Sequence, residues 1–291
     1  MKDPSSQNQH YFTNPELIEE MVRLKKQAKL VTDSMGGIWP EQREQDVRRI
    51  HQVLDLACGP GEWVMEVSNR YPHMHVVGVD KSRRMIAYAT AQAEAEDRSC
   101  LFRVMDITQP LLDFANESFD CINARFILGF MKKEQWPQLL KECYRLLRPG
   151  GLLRITDQES GFANDPIYQR YMDLWGSAWR AAGHAFAHTS AYIGVTVVLK
   201  QLMCQAGFVH PQHRPITLDL STGEVAHQEI LENLIQALQL ASRFLLDLRV
   251  TTGEEIDELS TQMEQLIGQE GFCAYWFLQT VWAWKPPVTN T

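Results

Sequence analysis

Short apolar segments separated by helical stretches limit this chain to few folds. Five such segments occupy 53–57, 75–79, 101–105, 119–124 and 152–156. Each has the length of a buried strand, and the sequence between most of them has apolar residues at helical spacing. Strands that alternate with helices form βαβ units and hence a parallel sheet. The sequence therefore predicts a doubly wound α/β fold.

The first segment ends in a glycine turn, which is Asp-Leu-Ala-Cys-Gly-Pro-Gly at 55–61. Glycine between a first strand and a first helix lets a ligand approach the backbone closely, and the helix that follows offers free N–H groups. The turn fails the dinucleotide fingerprint, because Val64 stands where that pattern needs its third glycine. It also lacks the Gly-Lys-Ser/Thr of a Walker loop.

Three strand-terminal aspartates indicate what ligand the turn accepts. Asp55 ends the first strand, where a carboxylate repels a pyrophosphate but suits an ammonium and a sulfonium. Asp80 ends the second strand, where doubly wound folds place a ribose-binding carboxylate. Asp106 ends the third strand, where it can accept a hydrogen bond from an adenine amino group. Together the three acids predict S-adenosylmethionine as the cofactor and S-adenosylhomocysteine as its product.

Four stretches carry a family resemblance. They are D-L-A-C-G-P-G at 55–61, G-V-D-K-S-x-x-M-I at 78–86, D-I at 106–107 and L-L-R-P-G-G-L-L at 146–153. Together they resemble class I S-adenosylmethionine-dependent methyltransferases, most closely the small-molecule, ubiquinone/menaquinone-biosynthesis-like branch. The resemblance covers 53–156 well and 202–208 weakly. It implies a Rossmann-like, seven-stranded sheet whose last strand is antiparallel.

The resemblance also implies residue roles. Asp55 and the turn at 59–61 correspond to the site of the methionine moiety, and Asp80 to the ribose carboxylate. Asp106 and Ile107 correspond to the adenine contacts.

Other cofactor contacts follow from the same resemblance. Met85 packs near the adenine or ribose, and Asn123 and Arg125 follow the fourth strand and face the cofactor. N-terminal segments of related enzymes fold over the cofactor, so Tyr11 is a predicted lid residue. The predicted cofactor-binding residues are Asp55, Ala57, Cys58, Gly59, Gly61, Asp80, Lys81, Met85, Asp106, Ile107, Asn123, Arg125 and Tyr11.

Two features depart from the family pattern. Ala57 stands where the family often has glycine, but alanine is small and does not count against binding. Segments 209–220 and 272–284 predict the last two strands, and 221–271 inserts two amphipathic helices between them. Capping-box patterns at 221–224 and 252–255 predict where these helices begin. The insertion is interpreted as a packed auxiliary region, with a substrate lid or a dimer surface as alternatives.

Methyl transfer needs mainly alignment of nucleophile, methyl and sulfur, so no fixed catalytic motif is expected. A general base helps only where the acceptor must lose a proton. The candidate catalytic residues are Glu159, after the fifth strand, and His184 and His188, which share a face if their segment is helical. Ordinary surface or cap histidines remain an alternative. No glutamate accompanies the histidine pair as in H-E-x-x-H, so no metal is predicted.

An aromatic group lies in the same part of the chain. Phe162, Trp175, Trp179 and Phe186 indicate either a pocket for a flat or apolar acceptor or a helix core. Both interpretations stay open.

The composition of the chain limits which binding partners and cellular location we expect. The formal net charge is −8, a poor match for nucleic-acid phosphates. The six cysteines form no C-x-x-C pair, which favours reduced, buried thiols. The N-terminus has no apolar signal region, and no apolar run is long enough to cross a bilayer. We therefore expect a cytoplasmic protein, a monomer or homodimer, with a small-molecule methyl acceptor and neither nucleic-acid nor membrane partner.

The predicted organisation has three parts: an N-terminal helical lid segment at 1–50, the cofactor-binding core at 51–160, and substrate-side helices with the last strands at 161–291. The predicted function is in-line methyl transfer to O, N or C of a small molecule, such as a secondary metabolite. One alternative is a protein or RNA methyltransferase, which the acidic charge and the missing N/D-P-P-Y/F motif disfavour. Another is a protein that binds S-adenosylmethionine without methylating, because fold does not determine function.

Overall fold

A computed structural model describes residues 12–288, so the predicted lid residue Tyr11 lies outside the described part. Seven strands form one sheet: β1 (Gln52–Leu56), β2 (His75–Asp80), β3 (Cys100–Val104), β4 (Phe119–Arg125), β5 (Leu147–Ala163), β6 (Val209–Asp219) and β7 (Ala274–Trp284). Their order is β3-β2-β1-β4-β5-β7-β6. β7 is antiparallel to both of its neighbours. The predicted seven-stranded sheet with an antiparallel last strand is confirmed.

Helices cover the sheet and its carboxyl edge. They are α1 (Ile18–Met35), α2 (Glu44–Val47), α3 (Glu62–Arg70), α4 (Arg83–Ala95), α5 (Trp136–Leu146), α6 (Pro166–Ala181), α7 (Val195–Gln205), α8 (His227–Leu240), α9 (Ser242–Asp247) and α10 (Gly253–Ile267). Within residues 12–288, no helix combines the length and the apolar character needed to cross a membrane.

The sheet separates two apolar clusters because successive side chains of a strand point to opposite faces. Leu54, Ile122 and Leu153 are paired across β1, β4 and β5 and join the larger cluster. The residue before each of them joins the second cluster. These strands are thus buried on both faces, which explains their nearly continuous apolar sequence.

Strand order reverses on the two sides of β1, which pairs with β2 and with β4. Helices that leave the sheet in opposite directions open a crevice at such a switch point, outside the carboxyl ends of the strands. The fold therefore places its main crevice beside Asp55 of β1 and Arg125 of β4.

The N-terminal helices differ from the sequence prediction. The first helix was expected to open at Asn14 and Pro15, but α1 begins at Ile18. The Asn14 side chain instead accepts a hydrogen bond from the Glu16 N–H at 3.0 Å, a local turn that competes with the helix. The second helix was expected at about 41–50 but is limited to α2.

The 221–271 insertion folds as three helices rather than two. The capping box of Thr252 and Glu255 at the start of α10 is confirmed. The predicted box at 221–224 does not open a helix, since α8 begins at His227. The apolar stripe of α8 is buried in the main core, so the packed interpretation is confirmed.

Among the described glycines, Gly176 in α6 has the least room for a side chain. A Cβ there would lie 1.8 Å from the carbonyl oxygen of Ser190. We expect Gly176→Ala to lower the free energy of unfolding by about 1–3 kcal/mol, measured by urea denaturation, because the 183–194 segment must move.

Gly253 is the matched control, because it is exposed in α10 and no atom of the described residues lies within 4 Å of a Cβ there. We expect Gly253→Ala to be neutral or to stabilise the protein by up to about 1 kcal/mol. Equal stability of the two variants would contradict the assigned packing of Gly176.

Candidate functional site

A cavity of about 480 Å³ opens at the carboxyl ends of the strands, within the size range of small-molecule sites. The turns after β1, β2, β3 and β4 form its walls, and α1 covers it with Leu24, Gln27 and Ala28. The predicted cofactor residues that line it are Asp55, Ala57, Cys58, Gly59, Asp80, Lys81, Met85, Asp106, Ile107 and Arg125. The strand-end pattern thus brings residues from four separate turns to one cavity.

A buried polar chain holds Asp55 at the cavity floor. Asp55, Asn123 and Arg154 are register partners on β1, β4 and β5. Asn123 Nδ2 donates to Asp55 Oδ1 at 2.7 Å, and Arg154 Nη1 donates to Asn123 Oδ1 at 2.7 Å. Arg154 also pairs with Glu41, with 2.5 Å between Nε and Oε1, and both side chains are 1% exposed. Asn123 therefore orients Asp55 from beneath rather than lining the cavity.

Asp55 and Arg125 bring opposite charges to this floor. Burial raises the pKa of Asp55 to about 6, although Arg125, Asn123 and Arg154 each lower it. Burial likewise lowers the pKa of Arg125 to about 10, against the opposing influence of Asp55. Arg125 Nη1 donates to Thr32 Oγ1 of α1 at 2.9 Å. The guanidinium thus links the cavity floor to the helix that covers it.

The glycine turn uses its two glycines differently. Among residues 12–288, a side chain on Gly59 would meet only Leu24, at 3.9 Å, so in this part of the chain the backbone at Gly59 is open to the cavity. A side chain on Gly61 would lie 2.7 Å from Phe102 and 2.9 Å from Ala89. Gly61 does not line the cavity, and its glycine is required by packing rather than by ligand approach.

Asp80 ties the turn to β2 and still offers acceptor sites. Its Oδ2 accepts from the Gly59 N–H at 2.9 Å, and its Oδ1 from the Ser82 N–H at 2.8 Å. Burial raises its pKa, while these backbone N–H groups lower it. The two carboxylate oxygens together have about four lone-pair sites, so Asp80 retains acceptor capacity for a ligand.

Asp106 follows the end of β3 and lines the same cavity as Asp55 and Asp80. Its Oδ1 accepts from the N–H and hydroxyl of Thr108 at 3.0 and 2.7 Å, and Lys81 Nζ lies 3.3 Å from its Oδ2. Burial alone raises the pKa of Asp106, but Thr108 and Lys81 outweigh it and hold the pKa below its usual value. Asp106 is therefore a stable anion at neutral pH.

The predicted histidine pair is not brought together. The 184–190 segment is not helical, His184 is buried and His188 is exposed. The His184 ring stacks on Trp179 with 5.6 Å between centroids. Neither histidine lines the cavity, and the expectation of a shared helix face was wrong because Gly183 ends the helical stretch.

Glu159 has a structural role that disagrees with its prediction as a base. Its Oε2 accepts from the N–H groups of Ile193 and Gly194, and its Oε1 from the N–H and hydroxyl of Thr196. All four distances lie between 2.7 and 3.2 Å. The carboxylate caps the start of α7, and each oxygen already accepts two hydrogen bonds.

A second, smaller cavity of about 80 Å³ lies next to the first. Trp175 and Trp179 line it, as the aromatic pattern suggested, whereas Phe162 and Phe186 do not. Phe126 lines both cavities. Sequence reasoning missed Phe126, and only its position directly after Arg125 could have indicated it.

Further site residues also escaped the sequence patterns. Leu24 and Gln27 of α1 line both cavities, but no motif marks them. The sequence offered a signal for Arg154, because a charged residue inside the apolar fifth strand requires a buried polar partner. Within residues 12–288, no group of three or more His, Cys, Asp or Glu side chains is arranged to hold a metal ion.

The sequence comparisons agree with this geometry. A profile of the methyltransferase domain matches residues 53–151. The demethylmenaquinone methyltransferase of Thermus thermophilus is 34% identical over 166 residues, which cover 54% of this chain and 74% of that protein. This chain belongs to the class I S-adenosylmethionine-dependent methyltransferases. Its place is in their ubiquinone/menaquinone-biosynthesis-like branch.

Other relatives of the family are matched over less of their length. Two are 30% identical: a demethylmenaquinone methyltransferase of Lactococcus lactis and a tRNA N(3)-methylcytidine methyltransferase of Drosophila melanogaster. The matches cover 42% and 40% of this chain, and 47% and 38% of those proteins.

One solved structure shows the same fold. It is phosphoethanolamine N-methyltransferase 2 of Haemonchus contortus, with a TM-score of 0.51 and 17% identity. The superposition covers 90% of this chain and 57% of that one. At this identity the likeness concerns the fold alone.

The backbone conformation at Ala57 gives a physical reason for the glycine that the family often has at this position. Its φ is +54°, and a left-handed conformation costs an L-residue about 1–2 kcal/mol. Glycine loses about 0.4–1 kcal/mol through the entropy of the unfolded chain. We therefore expect Ala57→Gly to raise the free energy of unfolding by up to about 1 kcal/mol, measured by urea denaturation.

The control is Ala91→Gly, at an exposed position inside α4 with ordinary helical backbone. This change should lower stability by about 1 kcal/mol. If both variants are destabilised alike, the strain assigned to Ala57 is wrong.

Proposed function

We propose that this protein transfers a methyl group from S-adenosylmethionine to a small-molecule acceptor, with the 480 Å³ cavity as the cofactor site. The observation that carries the proposal is that Asp55 and Arg125 line the same cavity, beside Asp80 at the end of β2. An amino-acid zwitterion joined to a ribose matches this set of charges. A pyrophosphate does not, because five acidic residues line the cavity: Glu16, Asp55, Glu62, Asp80 and Asp106.

The floor suits the methionine moiety. The carboxylate of Asp55 would hold the ammonium group, and the guanidinium of Arg125 the carboxylate group. The open backbone at Gly59 and Cys58 leaves room for the chain between them. The buried chain behind Asp55 orients the carboxylate in advance, which lowers the ordering cost of binding.

The walls suit the nucleoside. The remaining lone pairs of Asp80 would accept from the two ribose hydroxyls, and Asp106 from the adenine amino group. Met85 is 1% exposed and Ile107 is 4% exposed, so both supply apolar contacts from the core side. Lys81 would stay with Asp106 at the outer rim.

The protein's catalytic contribution is mainly alignment. When bound, S-adenosylmethionine supplies an activated methyl group whose sulfonium charge disappears during transfer. The residues of this chain bind the two ends of the cofactor and exclude water with α1. No general base is assigned, because Glu159 caps α7 and the two histidines lie away from the cavity.

Charge supports a small-molecule acceptor over RNA. The net charge of −8 gives little attraction to a phosphate backbone.

The proposed enzyme is cytoplasmic and does not depend on a metal ion. The proposed division has α1 within a lid segment at 1–50, a cofactor core at 51–160 and a substrate side at 161–291.

Asp80→Ala tests the ribose site. Loss of charge-assisted hydrogen bonds should cost about 1.5–3 kcal/mol and raise the dissociation constant of S-adenosylmethionine in calorimetric titration. Asp113→Ala is the control, because Asp113 is exposed and forms an ion pair with Arg103 on the surface. An unchanged dissociation constant in a folded Asp80→Ala protein would place the ribose elsewhere.

The pKa of Asp55 predicts how binding depends on pH. Its folded pKa of about 6 lies above the ordinary 3.8, so the ligand-free protein binds a proton at Asp55 as the pH falls through 6. The ammonium of the cofactor needs the ionised form. The dissociation constant should therefore rise toward about tenfold per pH unit below pH 6.

Titrations at pH 5, 6, 7 and 8 measure this slope, and Asp55→Asn is the control that cannot titrate. The variant should bind more weakly and lose most of the slope below pH 6. A slope that persists unchanged in Asp55→Asn would assign the pH dependence to another group.

A further inference from the structure

Gln27 of α1 lies where the two cavities meet, because it lines both of them together with Leu24 and Phe126. The same helix reaches the floor of the larger cavity at Thr32, which accepts the hydrogen bond from Arg125. Gln27 precedes Thr32 in α1 by five residues, or about 7.5 Å along the helix axis. In the proposed complex Arg125 holds the methionine end of the cofactor. Gln27 therefore lies beside the space in which an acceptor would meet the methyl group.

A buried arginine determines which end of the Gln27 amide a guest can use. Arg23 Nη1 donates to Gln27 Oε1 at 2.6 Å. A guanidinium has donors but no acceptor, so the oxygen of the amide must face Arg23. Among residues 12–288, no group accepts a hydrogen bond from Gln27 Nε2. The amide hydrogens are therefore the polar part of this side chain that is left for a guest in the cavities.

The arginine is itself held in place by three neighbours. Glu20 accepts from its Nε and Nη2 at 2.7 Å each, and Asn233 of the inserted α8 accepts from its Nη1 at 3.2 Å. The guanidinium also lies over the Phe12 ring, 5.7 Å from the centroid. Arg23 is 2% exposed and Glu20 is 0% exposed, so solvent weakens these contacts little. The network orients the Gln27 amide before a guest arrives, which lowers the ordering cost of binding.

The contact with Arg23 also makes the Gln27 amide a stronger donor. A hydrogen bond that a cation donates to the amide oxygen polarises the amide, because linked hydrogen bonds strengthen one another at low dielectric. The Nε2 hydrogens thus carry more positive charge than those of an isolated amide. Such a donor suits an oxygen on which negative charge develops.

The number of lone pairs decides which nucleophile this donor tolerates. An ammonium has none, and an amine nitrogen has a single lone pair, which must attack the methyl group. A hydrogen bond from Gln27 would occupy that pair. An ionised hydroxyl oxygen has further lone pairs, so it can accept from Gln27 and still attack. Gln27 therefore favours an oxygen nucleophile over an amine.

Carboxylates on both sides of the junction have partners that offset their charge. Glu159 lines the second cavity, but its two oxygens accept four hydrogen bonds at the start of α7. Glu62 lines the larger cavity, where its Oε1 lies 3.2 Å from Lys25 Nζ. These contacts reduce the repulsion that an anionic oxygen at Gln27 would meet.

We propose that Gln27 donates a hydrogen bond to the oxyanion of an enol or phenol acceptor, an inference that rests on the proposed methyl transfer. The acceptor hydroxyl first loses its proton to solvent, and the hydrogen bond from Gln27 stabilises the resulting anion. Another lone pair of the oxygen then forms the new O–C bond as the S–C bond breaks, and the electron pair of that bond stays on sulfur. The acceptor can thus be ionised although no general base is assigned.

The test uses acetylacetone, a compact enol whose enolate has its own ultraviolet absorbance, added to protein saturated with S-adenosylhomocysteine. Difference absorbance between pH 6 and 9 gives the ionisation constant of the bound probe. We expect it to be about tenfold higher on the unaltered protein than in free solution, because the hydrogen bond favours the anion. Gln27→Leu removes the donor and should abolish the increase. Gln27→Glu should lower the constant below its value in solution, because a carboxylate repels the enolate.

Gln201→Glu is the matched control, because Gln201 is exposed in α7 and, within residues 12–288, lies outside the lining of both cavities. It should leave the ionisation of the bound probe unchanged. A second measurement needs no variant. The side-chain amide protons of Gln27 should move downfield in the ¹H–¹⁵N spectrum when acetylacetone is added to the complex with S-adenosylhomocysteine.

Three results would overturn this inference alone. They are equal ionisation of the probe on the unaltered protein and on Gln27→Leu, a Gln27 amide resonance that does not move, and no acetylacetone binding while S-adenosylhomocysteine binds. Failure of S-adenosylhomocysteine to bind would instead overturn the proposed function.

Discussion

The proposed cofactor site depends on the buried chain from Glu41 through Arg154 and Asn123 to Asp55. It crosses β5, β4 and β1 at one register, so the orientation of Asp55 depends on the pairing of three strands. Loss of one member would leave a buried charge without its partner, typically at a cost of about 3–5 kcal/mol. The same chain holds the segment before α2 against the sheet, because Glu41 belongs to that segment.

The helical insertion packs against α1 and the main core rather than standing apart from them. Asn233 of α8 donates to the Arg23 carbonyl at 2.9 Å and accepts from the Arg23 side chain at 3.2 Å. These bonds join the insertion to α1, which covers the larger cavity. Residues of α1 line both cavities and residues of α8 line the smaller one, so the chain's main departure from the family pattern lies beside the proposed site.

Most of the fold, and the strand-end residues that line the larger cavity, could be predicted because their signals are local. Buried strands are short and apolar, and parallel strands bring the residues after their carboxyl ends to one edge. Predictions failed where a local pattern competed with tertiary contacts. Asn14 forms a turn instead of a helix cap, and His184 and His188 separate because the chain leaves helical geometry at Gly183.

The sequence by itself determined the sheet, its switch point and the acidic strand ends that border the proposed cofactor cavity, since each follows from strand patterning and strand-end residues. Only the tertiary structure decided the partners of Asp55, the capping role of Glu159 and the ring contacts beside the second cavity. Those features join residues far apart in the chain, such as Phe12 and Trp179 or Glu41 and Arg154. Periodicity and motif spacing carry no information about which distant side chains meet.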